Sequence, residues 1–218
     1  MKSRHFIAVA LLALCFSLGA QAQQRYEFDQ SDEDMVLRCW NMRGITPWIL
    51  GVTILDEVYS DMAYYTSSEI DRKAITTRFT DGITIVTYDA PFSLSGIDIL
   101  GAEWVFYKDV LVQMRAGMIS DDLLWRHVSR YGQGKGFTEM GPVGNSYYSQ
   151  ERSWKSFDAE MKYVKSVSPK TSSDRNEVGV IVGEDRTVRW YMDAFDLGEY
   201  GKAFKAAGGK PNFVKPRK

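Results

Sequence analysis

Cysteine and histidine are almost missing from this chain, two of each among 218 residues: Cys15, Cys39, His5 and His127. Cys15 and His5 both fall in the first 22 residues, so only Cys39 and His127 remain from Gln23 onward. A lone cysteine excludes a disulfide framework, and the fold has to stand on packing alone. One histidine, one cysteine and scattered carboxylates offer no metal-ligand spacing, and no cofactor fingerprint is present. A dominant charge is missing too: 27 Lys and Arg face 28 Asp and Glu, a balance that gives no field for nucleic acid. Beyond the first 22 residues no apolar run approaches the length of about 18–20 residues that a membrane-spanning helix needs, so no membrane span is expected.

What is present begins with an export signal. Lys2 and Arg4 precede an apolar run from Phe6 to Leu18, followed by Ala20-Gln21-Ala22. A basic start, a short apolar core and small residues at the −3 and −1 positions are what a signal peptidase recognises. Residues 1–22 are therefore read as a signal peptide cleaved near Ala22, which places the protein in the periplasm or outside the cell. Lipid attachment at Cys15 would need a small residue before it, and Leu14 stands there. Cys15 is read as one more apolar residue of the signal. The signal removes two of the 27 basic residues and no acid, leaving 25 against 28. Residues 23–209 are of a size for one domain.

Glu27–Asp34 holds five acids in eight residues and reads as a solvated lead-in. In Met35–Trp40 an alternating pattern sets Val36 and Arg38 on one face, Leu37 and Cys39 on the other, with Cys39 a buried, inert thiol. A short helix capped by Thr53 runs to Met62, with Ile54, Val58 and Met62 as its inward stripe. Ile75, Thr77 and Phe79 alternate up to Asp81-Gly82, and Ile83, Ile85 and Thr87 alternate beyond, which predicts a tight hairpin. A second hairpin joins Gly101–Tyr107 to Val110–Met114 around Lys108-Asp109. Ser120 starts a helix that Gly132 stops. The stretch Gly132–Gly144, with five glycines and Pro142, reads as a loop. Phe157, Ala159, Met161 and Tyr163 form a half-exposed strand, and Ser168–Asn176 a polar turn. Val178–Val182 and Thr187–Met192 form a third hairpin across Glu184-Asp185. Leu197–Ala207 is a last helix, and Lys210–Lys218, with two prolines and four basic residues, is a basic flexible tail. Contiguous hairpins predict an α+β fold, mostly antiparallel sheet built from hairpins, with two or three helices packed on one face. Tyr64-Tyr65-Thr66-Ser67 recurs as Tyr147-Tyr148-Ser149. Two related lobes would leave this trace, and so would chance among 12 tyrosines.

Phe106-Tyr107-Lys108-Asp109-x-Leu111, the helix end Arg130-Tyr131-Gly132 and the upstream Arg43-Gly44-Ile45 together resemble small exported bacterial α+β proteins of unassigned function. The resemblance implies a fold and carries no catalytic residue.

Three constellations bear on function. His127, beside Trp125 in an expected helix, reads as a helix-surface or packed residue; its alternative role is the general base of an envelope hydrolase, working with Ser120 or Asp122. Gly132-Gln133-Gly134-Lys135-Gly136 follows a helix and lacks the spacing of a phosphate-cradling loop. Asp174-x-Asn176 lacks an oxygen donor at Val178 for a calcium loop. The aromatic content is the better lead: six tryptophans and 12 tyrosines, with Trp40, Trp48, Tyr64, Tyr65, Tyr147, Tyr148 and Trp154 in or beside expected loops. Such rings either cap the sheet core or bind a partner. The reading is of a non-catalytic binding protein, an inhibitor or cell-envelope accessory factor, without cofactor. It would recognise a protein or glycan partner as a monomer, and a Cys39-linked dimer is the alternative state.

Overall fold

The computed structural model describes residues 23–45, 47–65, 75–94, 97–118, 129–141, 148–170 and 185–211. Ten strands and three α-helices are found among them. In chain order these are β1 (Gln24–Asp29), α1 (Asp32–Cys39), α2 (Leu55–Tyr65), β2 (Ile75–Thr80), β3 (Ile83–Tyr88), β4 (Phe92–Leu94), β5 (Ile97–Tyr107), β6 (Val110–Met118), β7 (Lys135–Met140), β8 (Tyr148–Lys155), β9 (Ala159–Lys170), β10 (Asp185–Asp196) and α3 (Glu199–Ala206). The strands form one antiparallel sheet in the order β1-β7-β8-β9-β10-β6-β5-β3-β2, with β4 paired to β5. The α+β class and the hairpin-built antiparallel sheet are as the sequence predicts. No helix among the described residues is long and apolar enough to cross a membrane.

Two turns fix the centre of the sheet. Asp81 and Gly82 take φ of 48° and 79° between β2 and β3, and Lys108 and Asp109 take 48° and 65° between β5 and β6. Positive φ at both central positions matches the twist of the flanking strands, which is why the Asp-Gly signal was decisive. Past the second turn the register slips: Phe106 faces Leu111, but Val105 faces Gln113, so Val112 is an extra residue. This bulge lets Leu111 and Met114 share the front face with Trp104 and Phe106, while Val112 joins Val105 on the reverse.

The front face carries the main core. Trp104, Trp154, Met161, Tyr163 and Met192 lie under α1, α2 and the segment between those helices, which contributes Met42, Ile45, Trp48 and Leu50. Two helices thus share one face. On the reverse face α3 buries Phe204 against Val105, Val112 and Phe195. Asp196, at the end of β10, holds α3 in place: its Oδ1 accepts from the Gly198 N–H at 2.8 Å and its Oδ2 from the Gly201 N–H at 2.9 Å.

Several expectations are corrected. Met35–Trp40 is not an alternating segment but most of α1 and its C-cap; Ser31 Oγ accepts from the Asp34 N–H at 3.2 Å, and three acids occupy the first turn. Met35 and Cys39 face inward one turn apart, so Leu37 and Cys39 do not share a face. The acidic lead-in Glu27–Asp34 is the end of β1 and the start of α1; β1 pairs with β7, which is Lys135–Met140 of the expected glycine loop. The residues Thr187–Met192 lie in β10 and pair with β9 and β6, not with residues 178–182, which lie outside the described residues. β9 itself runs to Lys170, through the start of the expected polar turn, whereas Phe157 sits exposed in the turn before it. At α2 the Thr53 hydroxyl accepts from the Ile49 N–H, and Glu57 receives the Ile54 N–H at 3.0 Å. Val58 and Met62 are buried, but Ile54 is exposed. The expected signal peptide, residues 120–128 of the expected helix and residues 212–218 of the expected tail lie outside the described residues.

Gly201 tests the α3 junction. A Cβ there would stand 1.8 Å from the Asp196 carbonyl oxygen, a backbone atom that cannot retract. Gly201→Ala is expected to cost about 2–3 kcal/mol and to lower the melting temperature by about 4–12 °C. Gly208→Ala, with open space but φ of +88°, should cost only about 1–2 kcal/mol. Calorimetry of the two variants distinguishes crowding from backbone strain.

Candidate functional site

The region around α1 combines anchoring from below with an apolar surface above. Its inward residues are Met35 and Cys39; Val36 is half-buried, and Leu37 and Trp40 are 74% and 69% exposed. Positions 36, 37 and 40 are helical neighbours at i+3 and i+4, so the three side chains form one outward patch. A shallow, open apolar depression beside it is lined by Asp32, Glu33, Val36 and Leu37.

A hydrogen-bonded latch holds the helix to the sheet. Gln30, buried between β1 and α1, donates from Nε2 to the Tyr131 carbonyl at 3.1 Å and to Asp34 Oδ2 at 2.8 Å. Its Oε1 accepts from the Gly134 N–H at 2.6 Å. Gly132, at φ +88°, leaves room for this side chain; a Cβ there would lie 2.6 Å from Gln30 Nε2. Trp154 Nε1 donates to the Gly132 carbonyl at 3.3 Å, and Arg152 donates to the Gln133 carbonyl at 2.8 Å while its guanidinium lies 3.2 Å from the Phe28 ring centre. The glycine run is thus a clamp between Ser129–Tyr131 and β7. Its Gly134 N–H is already committed to Gln30, and it leads into a strand rather than the helix a phosphate cradle requires.

A second cleft of about 580 Å3 opens beside this latch, lined by Gln30, Ser31, Asp34, Arg38, Ser129, Gly132 and Gln133. The Arg38 guanidinium donates to Asp34 at 2.9 Å and holds that carboxyl below its ordinary range. Lys135 donates to Asp32 at 2.8 Å, lowering the carboxyl and raising the ammonium. These pairs neutralise two of the three acids of the first turn. Glu33 adds a negative charge beside the apolar depression.

The aromatic candidates separate. Trp40 is exposed on α1, and Tyr64 is 79% exposed in the last turn of α2. Tyr148 is half-buried in β8, with its hydroxyl donating to Gln150 at 3.1 Å and the Lys165 ammonium 5.5 Å from its ring centre. Trp48 and Trp154 are core residues: both are fully buried, and Trp48 meets Trp104 edge-to-face at 5.1 Å. They offer no ring to a partner. Tyr147, His127 and the side chain of Tyr65 lie outside the described residues. Sequence reasoning missed Leu37 and Val36 as surface residues. Ser31-x-x-Asp34 ahead of an apolar stretch was the signal that would have found them, since an N-cap and acidic first turn turn an apparent alternation into a helix.

No family model matches the chain, and no curated protein or solved structure matches it.

Cys39 reports on whether α1 stays seated. It is completely buried, and burial pushes its thiol up to about 11. The protein beginning at Gln23 should resist Ellman's reagent at pH 8 and release one equivalent of thiol after unfolding. The folded state binds this proton more tightly than the unfolded chain, so stability should fall as pH rises from the ordinary thiol value of 9.0 through about 11. Rapid labelling of the native protein at pH 8 would show that α1 opens.

Proposed function

We propose that the protein is an exported, non-catalytic binding protein of the inhibitor or envelope-accessory class, and that α1 carries its recognition surface. The observation that supports this reading is the exposure of Leu37 and Trp40 beside Val36, on a helix anchored through other residues: Met35, Cys39, the Gln30 latch, the Ser31 cap and the Asp32–Lys135 pair. Tryptophan is favoured where a few residues supply most of a binding energy. Its aliphatic neighbours and the apolar depression suit an apolar side chain of a protein partner better than the polar groups of a glycan. Glu33 at the rim favours a basic group next to that side chain.

Photocrosslinking tests the proposal. With p-benzoylphenylalanine in place of Trp40, cells producing the full chain should yield a discrete protein adduct on irradiation. Leu37→Asp should abolish it, and the same probe in place of Lys202, on α3 at the reverse face, should give none. Both native side chains are exposed, so these replacements should shift stability by no more than about 0.5 kcal/mol. No adduct from position 40, or equal adducts from both positions, would overturn the assignment.

A further inference from the structure

The sheet ends in two strands of different character. β1 and β2 each pair on one side only, with β7 and β3 respectively, and no described residue pairs with the far side of either. A row of free N–H and C=O groups is a template for another strand, and proteins blunt such edges with charge. The outer strand β1, Gln-Arg-Tyr-Glu-Phe-Asp, is blunted: Arg25, Glu27 and Asp29 alternate along it, with Arg25 on Glu27 and Glu139 and Asp29 near Lys135. The other edge, β2, reads Ile-Thr-Thr-Arg-Phe-Thr. Five of its six residues are β-branched or aromatic, and it has no glycine, proline or acid. Its one charge, Arg78, leans back toward Glu103 at 3.8 Å. Phe79 is 72% exposed on this edge.

We propose that β2 is a self-association edge, on which a second copy of the chain adds its own β2 antiparallel to form one continuous sheet across two protomers. The strand's own pattern selects both occupant and register. Side chains directly opposite each other in an antiparallel pair must lie on the same face. Residues 75, 77 and 79 lie on the front face and 76, 78 and 80 on the reverse. A two-fold axis must therefore pass through a residue, not between two. An axis at Arg78 would set guanidinium against guanidinium, which is destabilising. An axis at Thr77 sets Thr77 against its own copy, Arg78 opposite Thr76, and Ile75 opposite Phe79 in two equivalent pairs. Aromatic and β-branched residues facing each other across strands are favourable. The exposed Phe79 ring gains cover on both sides of the axis. This association is non-covalent and independent of the buried Cys39 and of the α1 surface, and it replaces the monomer that the sequence suggests.

Cysteine placement reads the register. Directly opposed residues stand within the Cα separation a disulfide accepts, whereas residues two positions out of register stand about 8 Å apart, beyond it. In the protein beginning at Gln23, Thr77→Cys should oxidise in air to a covalent dimer and Thr76→Cys should remain reduced. Sedimentation of the unmodified protein should show a concentration-dependent shift toward twice the monomer mass, lost in Phe79→Lys with the circular dichroism spectrum unchanged. A monomer at every concentration overturns the proposal, as does a dimer that survives Phe79→Lys. Crosslinking through position 76 but not 77 overturns the register. Trp40→Ala should leave the dimer intact, which separates this edge from the α1 surface.

Discussion

The edge-to-face contact of Trp48 with Trp104, ring centres 5.1 Å apart, is the point on which the front of the molecule depends. Trp104 projects from the middle of β5 and Trp48 from the segment between α1 and α2, so their contact seats that segment on the sheet. Phe92 completes the aromatic group at 6.5 Å from Trp48. Backbone bonds reinforce the seat: the Leu111 carbonyl accepts from the Gly51 N–H at 2.7 Å, and the Leu111 N–H donates to the Thr53 carbonyl at 2.8 Å. With Cys39 a free, buried thiol, burial of such large rings is what offsets the entropy of ordering a segment without regular structure. α1 and α2 flank this segment, so their positions follow from it.

The two faces of the sheet differ in kind. The front is mostly apolar, whereas the reverse, beside the apolar cluster under α3, has charged residues that oppose one another across neighbouring strands. Lys162 faces Asp193, Asp193 faces Arg115 and Arg115 faces Glu103. The Arg115–Asp193 bridge, at 2.7 Å, joins a buried Asp193 to an Arg115 whose side chain still reaches the surface. Buried pairs of this kind add little net stability, but losing one partner leaves the other charge uncompensated. Their effect is to fix register. A one-residue slip of β10 would carry Asp193 to the front, beside Tyr163 and Met114 of the neighbouring strands, and would send Met192 and Ala194 to the reverse.

What the sequence revealed divides by range. The β2–β3 and β5–β6 hairpins were legible because each is closed by two residues whose turn chemistry is local, and the α3 stop at Gly208-Gly209 was legible for the same reason. Pairing of β10 with β6 and β9 was not, because its partners are chosen by burial across more than 70 positions in one direction. β8 escaped notice because Ser149, Glu151 and Ser153 alternate with Arg152 and Trp154, so its inward face includes a buried arginine where an apolar residue was expected. That arginine is accommodated by the Phe28 ring and the Gln133 carbonyl, one from β1 and one from the glycine clamp. The fate of each tryptophan was equally non-local. Trp40 ends α1 facing outward, whereas Trp48, eight residues on, packs on Trp104 of the sheet.

The outward residues of α1 raise a question that folding alone does not answer. An eight-residue helix is too short to be stable by itself, so α1 exists because Ser31 caps it, Gln30 ties its first turn to Tyr131 and Gly134, and Met35 and Cys39 are buried. None of these contacts involves Leu37 or Trp40. A single exposed apolar side chain is ordinary on any protein surface; Leu37, at a shallow apolar depression, and Trp40, one turn on, form an area that water hydrates poorly. Serine or lysine at both positions would keep every anchoring contact and would improve the solubility of the helix. The anchoring polar groups lie on one side of α1 and the apolar patch on the other, so contact with a partner at Trp40 need not disturb the latch. That separation is what a rigid recognition helix requires: its position is set by buried contacts before any partner arrives, and its exposed rings lose little further freedom on binding.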